Sequence, residues 1–229
     1  MKGRKVFHTE AAYILGILFL AIGTALMEKA SFGVSMVVAP AYIIHLKVSE
    51  SLSWFTFGVS EFMLQGFLLI LLSAVIGRMK LCYLFSFATA VIYGLVLDGA
   101  MYAASFINSD GMAMRVLLYV SGIFICAIGI AFFFRSYITP EAYELAVKEI
   151  AARLGKDPCI IKTAYDISSC LISVVLSFMF FGFGVFKGVE LGTAVCAAVN
   201  GYAISIVSKA MDRMFLFEDG LALRRLFER

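Results

Sequence analysis

Five polar side chains stand where a chain this apolar has least room for them. Glu61 interrupts FGVSEFMLQG (57–66), with Gln65 one helical turn later on the same face. Asp166 sits in KTAYDISSCLISVV (162–175), followed at three and four residues by Ser169 and Cys170, so both acids head short polar stripes. Asp98 lies in YGLVLDGAMY (93–102) beside Gly94 and Gly99, and Asn200 lies in GVELGTAVCAAVNG (188–201). An ionised acid at the bilayer centre costs at least ~2.5–3.5 kcal/mol, so such a residue faces a cavity, a partner or a proton path. Desolvation disfavours the charged form of a carboxylate. Two buried acids therefore suit the binding of protons or of a small solute coupled to them. The plain structural alternatives are specific ones. Asp166 can pair with Lys162 one turn earlier, and Asp98 can hold neighbouring helices together near the outer end of its span.

The elements that must position these residues are membrane helices. Hydrophobic residues make up 62% of the 229 and charged ones 15%, and mean hydropathy is +0.96, far from the balance of a water-soluble domain. A helix crosses the hydrocarbon core with about 20 apolar residues. Six stretches qualify: 11–30, 52–77, 81–106, 115–137, 161–185 and 191–210. Strand alternation is absent, which argues against a barrel. The first span is too long, and lacks the small-residue cleavage site, to be a removable signal peptide. With the N-terminus inside, fifteen Lys and Arg fall on inner segments, and Lys29, Lys47, Arg115 and Lys187 on outer ones. That bias puts both termini in the cytoplasm, and the net charge of +3 reports topology rather than nucleic-acid binding.

An internal repeat organises the spans. GILFLAIGTA (16–25) aligns with GIFICAIGIA (122–131), PAYIIHLKV (40–48) with PEAYELAVK (140–148), and Glu61 then falls opposite Asp166. The third spans pair Gly94 with Gly201 and Asp98 with Ser205. Three spans per copy is an odd number, so the second copy enters the membrane upside down, the construction of many secondary transporters. Repeat 1 covers about 11–106 and repeat 2 about 115–210, within one membrane domain, 1–229.

Three further segments are not spans. SFGVSMVVAPAYIIHLKVS (31–49), broken by Gly33 and Pro40, reads as a broken or re-entrant segment lining a cavity. Residues 140–157 read as an amphipathic helix lying on the inner membrane surface, and about 213–229 as a second interfacial helix. Cys82, Cys126, Cys159, Cys170 and Cys196 show neither CxxC nor histidine partners and read as free thiols, and His45 as an interfacial side chain, so no metal site is expected. No Walker A motif is present, and Tyr165-Asp166 lacks the GxGD partner of an intramembrane aspartyl protease, which argues against an enzyme.

The stretches AIGTALMEKASFGVS, PEAYELAV with YDISS, and LGTAVCAAVNG resemble the YczE/YitT-type bacterial membrane proteins over most of the chain. That resemblance implies a multi-pass protein of the bacterial inner (plasma) membrane and names no substrate. The longer YitT-type members carry a soluble C-terminal domain, and the resemblance, which lies in the membrane spans, leads to no expectation of one in these 229 residues.

The expectation is an all-α integral membrane protein, six transmembrane helices as two inverted three-helix repeats. It would act as a secondary transporter or exporter of a small solute or ion, with Glu61, Asp166, Asp98, Gln65 and Asn200 as candidate binding residues and no cofactor. The alternative is a substrate-binding subunit or non-transporting scaffold of a larger membrane complex. Partners would be the lipid bilayer and a second copy or another membrane subunit.

Overall fold

The computed structural model describes residues 5–77, 81–156 and 158–221. The order of elements is β1 (Lys5–His8), α1 (Thr9–Ala30), α2 (Ala39–Val48), α3 (Phe57–Ile76), α4 (Leu81–Ser105), α5 (Met112–Phe133), α6 (Ala142–Leu154), α7 (Pro158–Phe181), α8 (Leu191–Met214) and β2 (Phe215–Glu218). Six of these helices are long and apolar enough to cross a membrane. At 1.5 Å per residue, the 22 residues of α1 or α5 extend about 33 Å, a bilayer core's width. Their large apolar side chains face outward: Ile70, Leu95, Leu171 and Val75 are exposed, while Glu61, Gln65, Ser173 and Thr193 are buried. That inversion is stable only where the surroundings are apolar. The molecule is a multi-pass membrane protein.

Helix ends follow local chemistry. α3 starts five residues later than hydropathy suggests because the Thr56 hydroxyl accepts the Val59 N–H and caps it. α7 stops at Phe181, ahead of Gly182 (φ 100°) and Gly184 (φ 87°), where the chain turns through left-handed backbone.

The centre of the bundle is the crossing of α1 and α5. These two helices run antiparallel, Gly16 against Gly129 and Gly23 against Gly122. A Cβ on Gly23 would lie 2.7 Å from Gly122 O, and one on Gly129 2.9 Å from Gly16 O. Around this seam the packing partners repeat. α1 packs on α4 as α5 does on α8, α3 on α4 as α7 on α8, and α2 on α3 as α6 on α7; α2 also packs on α7 as α6 does on α3.

The two short helices are half-length elements set inside this frame. After α1 the chain turns at Ser31 (φ 53°) and Gly33 (φ 95°), runs inward, and returns as α2 with Pro40 in its first turn. The expected break in 31–49 is present. α6 departs from expectation. Residues 142–147 are all buried, so this helix does not lie along the surface. Its start is held from three sides: Ser86 Oγ donates to Pro140 O (2.8 Å), Thr89 Oγ1 to Thr139 O (3.0 Å), and Ala142 N–H to Gln65 Oε1 (3.0 Å). Burying those backbone groups is favourable because each finds a partner.

The chain end also departs from expectation. Residues 215–218 form β2, parallel to β1 with Lys5 opposite Phe215 and His8 opposite Glu218, instead of an interfacial helix. Phe215, Leu216 and Phe217 form a short apolar run with two aromatic side chains, which favours a strand once an edge is available. The Glu10 carboxylate ties the junction, accepting from Leu221 N–H (2.8 Å), Gly220 N–H (3.1 Å) and Tyr137 OH (2.8 Å). The rest of the expected helix, 222–229, lies outside the described residues, as does the side chain of Cys159.

Candidate functional site

Where the start of α6 meets α3 and α7, the interior is polar. Gln65 is the organising residue. Its Nε2 donates to Glu141 Oε2 (3.0 Å) and Glu61 Oε1 (3.3 Å), while its Oε1 takes the Ala142 N–H. The amide orientation is thus fixed by three partners of known donor or acceptor type. Glu61, Gln65 and Glu141 are 0–1% exposed. The Tyr143 hydroxyl faces Glu61 without closing a well-formed hydrogen bond.

One turn along α6, Glu144 reaches toward α7. Lys162 Nζ lies 3.2 Å from Asp166 Oδ1 and 3.5 Å from Glu144 Oε1. Lys162 is therefore shared between the carboxylate expected from its own helix and one the sequence reading did not consider. Four carboxylates, Glu61, Glu141, Glu144 and Asp166, meet one ammonium in this interior. Glu61 and Asp166 are linked through Glu141, the residue before α6, and Tyr143 and Glu144 of α6, which stand between their helices.

Glu141 lies ahead of α6, outside the six long helices. Burial first, then the Glu144 and Glu61 charges, hold its carboxyl well above the usual carboxylate range, against the Gln65 hydrogen bond and the Lys162 charge. The positive end of α6 offsets part of that penalty, since a helix N-terminus carries about half a charge.

A small cavity of about 20 Å³ lies beside this cluster, lined by Thr24, Ser35, Tyr93, Glu141, Tyr143, Glu144 and Asn200 together with apolar side chains and the thiols of Cys126 and Cys196. Of the five residues singled out in the sequence, Glu61, Gln65 and Asp166 belong to the cluster and Asn200 lines the cavity. Asp98 stands apart. It accepts the Gly58 N–H (2.8 Å) and the Thr56 hydroxyl (2.6 Å), and so holds the start of α3 against α4. Glu141 and Glu144 were missed because PEAYELAVKEI has the polar spacing of a surface helix. The signal that could have found them was the repeat, which sets this segment opposite the re-entrant 31–49.

Fold and site together define a multi-pass helical membrane protein with a polar, enclosed centre. The chain belongs to a family of unknown function, DUF6198, whose profile it matches over residues 7–209. No curated protein and no solved structure matches it.

Proposed function

We propose that the protein is a secondary transporter of a small solute or ion, with its binding site where α3, α6, α7 and α8 converge. The observation that carries this reading is the cluster itself. Four carboxylates held out of water around a single lysine are costly to retain in a membrane interior and serve no packing purpose that apolar side chains could not serve better. Pairing of glycines 16 with 129 and 23 with 122, and exchange of packing partners between the halves, support two inverted repeats related by a two-fold axis in the membrane plane. α2 and α6 are then the two broken helices of such a carrier, both starting beside the central cavity. The resemblance to YczE/YitT-type proteins and the distribution of Lys and Arg support a bacterial inner-membrane setting with both termini cytoplasmic.

The test is flux in sealed proteoliposomes carrying an internal pH-sensitive dye, over a panel of candidate solutes and cations. Glu61→Gln keeps the size of the side chain and removes its charge, so it should assemble normally and lose proton-coupled flux by at least tenfold. Undiminished flux in that variant removes Glu61 from the mechanism. No flux of any solute by the wild type, with a separate membrane subunit or ATPase co-purifying, favours the substrate-binding subunit or scaffold instead.

A further inference from the structure

Resting on the transporter reading, we propose that the central cavity is a binding site for a single dehydrated small cation, held by Glu141, Glu144 and Asn200. The first ground is size. A cavity of about 20 Å³ has room for a body the size of a water molecule, which is the size of a bare small cation.

The second ground is the chemistry of the wall. Glu141 Oε1, Glu144 Oε2 and Asn200 Oδ1 are acceptor oxygens on residues 1%, 5% and 4% exposed, and none of the three has a hydrogen-bond donor. Among the described residues, no Lys, Arg or His side chain lines the cavity. The two thiols are engaged elsewhere, Cys126 with Leu20 O (3.7 Å) and Cys196 with Ser35, which leaves an oxygen set of the kind hard cations prefer. Buried acceptors without donors are rare, because each forfeits the hydration it had in water.

Charge decides against an anion. The N-termini of α2 and α6 both approach the cavity and contribute about half a positive charge each. Against them and Lys162 stand four carboxylates, so the interior stays negative until protons or a cation balance it.

The approach from the outer face fits the same ligand. A second cavity of about 220 Å³ opens between α1, α2 and the loop before α8, with two acids, Glu28 and Glu190, and one base, Lys187, in its wall; the Lys187 ammonium sits over the Phe181 ring, 4.6 Å from its centre. Val34 lines this vestibule, while Ser35, Val37 and Val38 line the central cavity. The short run from Gly33 to Val38 is all that this segment places between the two, and it serves as the outer gate.

Purified full-length protein at pH 8 would be melted in sodium, potassium, ammonium, magnesium or calcium chloride, with N-methylglucamine chloride at matched ionic strength as the oversized control. A cation at a hundred times its Kd should raise Tm by about 5 °C or more over the control. Glu141→Gln and Asn200→Ala should each cut that rise at least fivefold, while Glu50→Gln, at an exposed surface acid, should leave it intact. A rise with ammonium alone, with metals alone, or with both supports the site and names its occupant. Equal melting in all salts, or a rise that survives Glu141→Gln and Asn200→Ala, overturns the site. Solute flux without any cation-specific rise would leave the transporter standing and remove this site from it. A rise without any flux would do the reverse.

Discussion

At the scale of single residues, Gln65 does more than either acid it joins. It pairs one backbone N–H and one oxygen of each of two carboxylates at once, all of them buried. Gln65→Ala should cost about 2–4 kcal/mol in urea or thermal unfolding, because it strands buried groups rather than merely deleting a contact. Lys47→Ala breaks a shorter ion pair, 2.7 Å to Glu50, yet both partners are exposed and no measurable change is expected. Glu141 adds a pH dependence. Its ordinary value is 4.5 and its folded value lies well above that, so the folded protein takes up a proton in the window between them. The stability this proton supports is fully present below the ordinary value and is lost as pH rises through the folded one. Glu61, Glu144, Lys162, Gln65 and Tyr143 all face this carboxyl's surroundings, the two acids disfavouring its charged form and Lys162 and Gln65 favouring it. Glu141→Gln should therefore melt closer to its own pH 5 value at pH 8 than the wild type does. A steeper fall in the variant would contradict the direction of the shift.

At the scale of elements, the molecule turns on the α1–α5 seam and on the two half-length helices. The seam depends on the absence of Cβ atoms: one on Gly23 would meet Cys126 N at 2.7 Å and Gly122 O at 2.7 Å, both backbone atoms that cannot step aside. Gly23→Ala should thus destabilise by about 1–3 kcal/mol through forced separation of the helices. Gly201, midway along α8, has open space around it, and Gly201→Ala should be neutral or stabilising by up to about 1 kcal/mol. Denaturation of both in one detergent checks the contrast. The sequence carried much of this level plainly. Twenty-residue apolar runs mark the spans, and the two G-x6-G stretches in GILFLAIGTA and GIFICAIGIA mark the seam. It did not carry the depth of α6. A segment whose Glu141, Glu144 and Lys148 recur at helical spacing reads as a surface-bound helix when hydropathy is the only guide. What pulls it inward are Gln65, Ser86 and Thr89, fifty or more residues from the groups they hold, and such contacts leave no local pattern. The 215–218 strand was hidden for the same reason, since its partner lies at residues 5–8.

At the scale of the whole molecule, the two halves present an exchange of partners around a central cavity, with a second cavity beside it and a thin segment, Gly33 to Val38, between. A carrier built this way must open its centre to each side in turn. The cavity wall offers Asn200, on α8, as a reporter of that opening. The most direct measurement places Asn200→Cys in a background without the native cysteines and reconstitutes it in sealed vesicles of known orientation. A small, cationic, membrane-impermeant thiol reagent is then applied to one side at a time. The expected result is modification from either side, slowed by a cation that fills the cavity, while Lys156→Cys reacts only from the cytoplasmic side and Lys187→Cys only from the outer side. Modification of the Asn200→Cys protein from neither side, or from one side alone under every gradient, would contradict a transport site at the centre of this bundle.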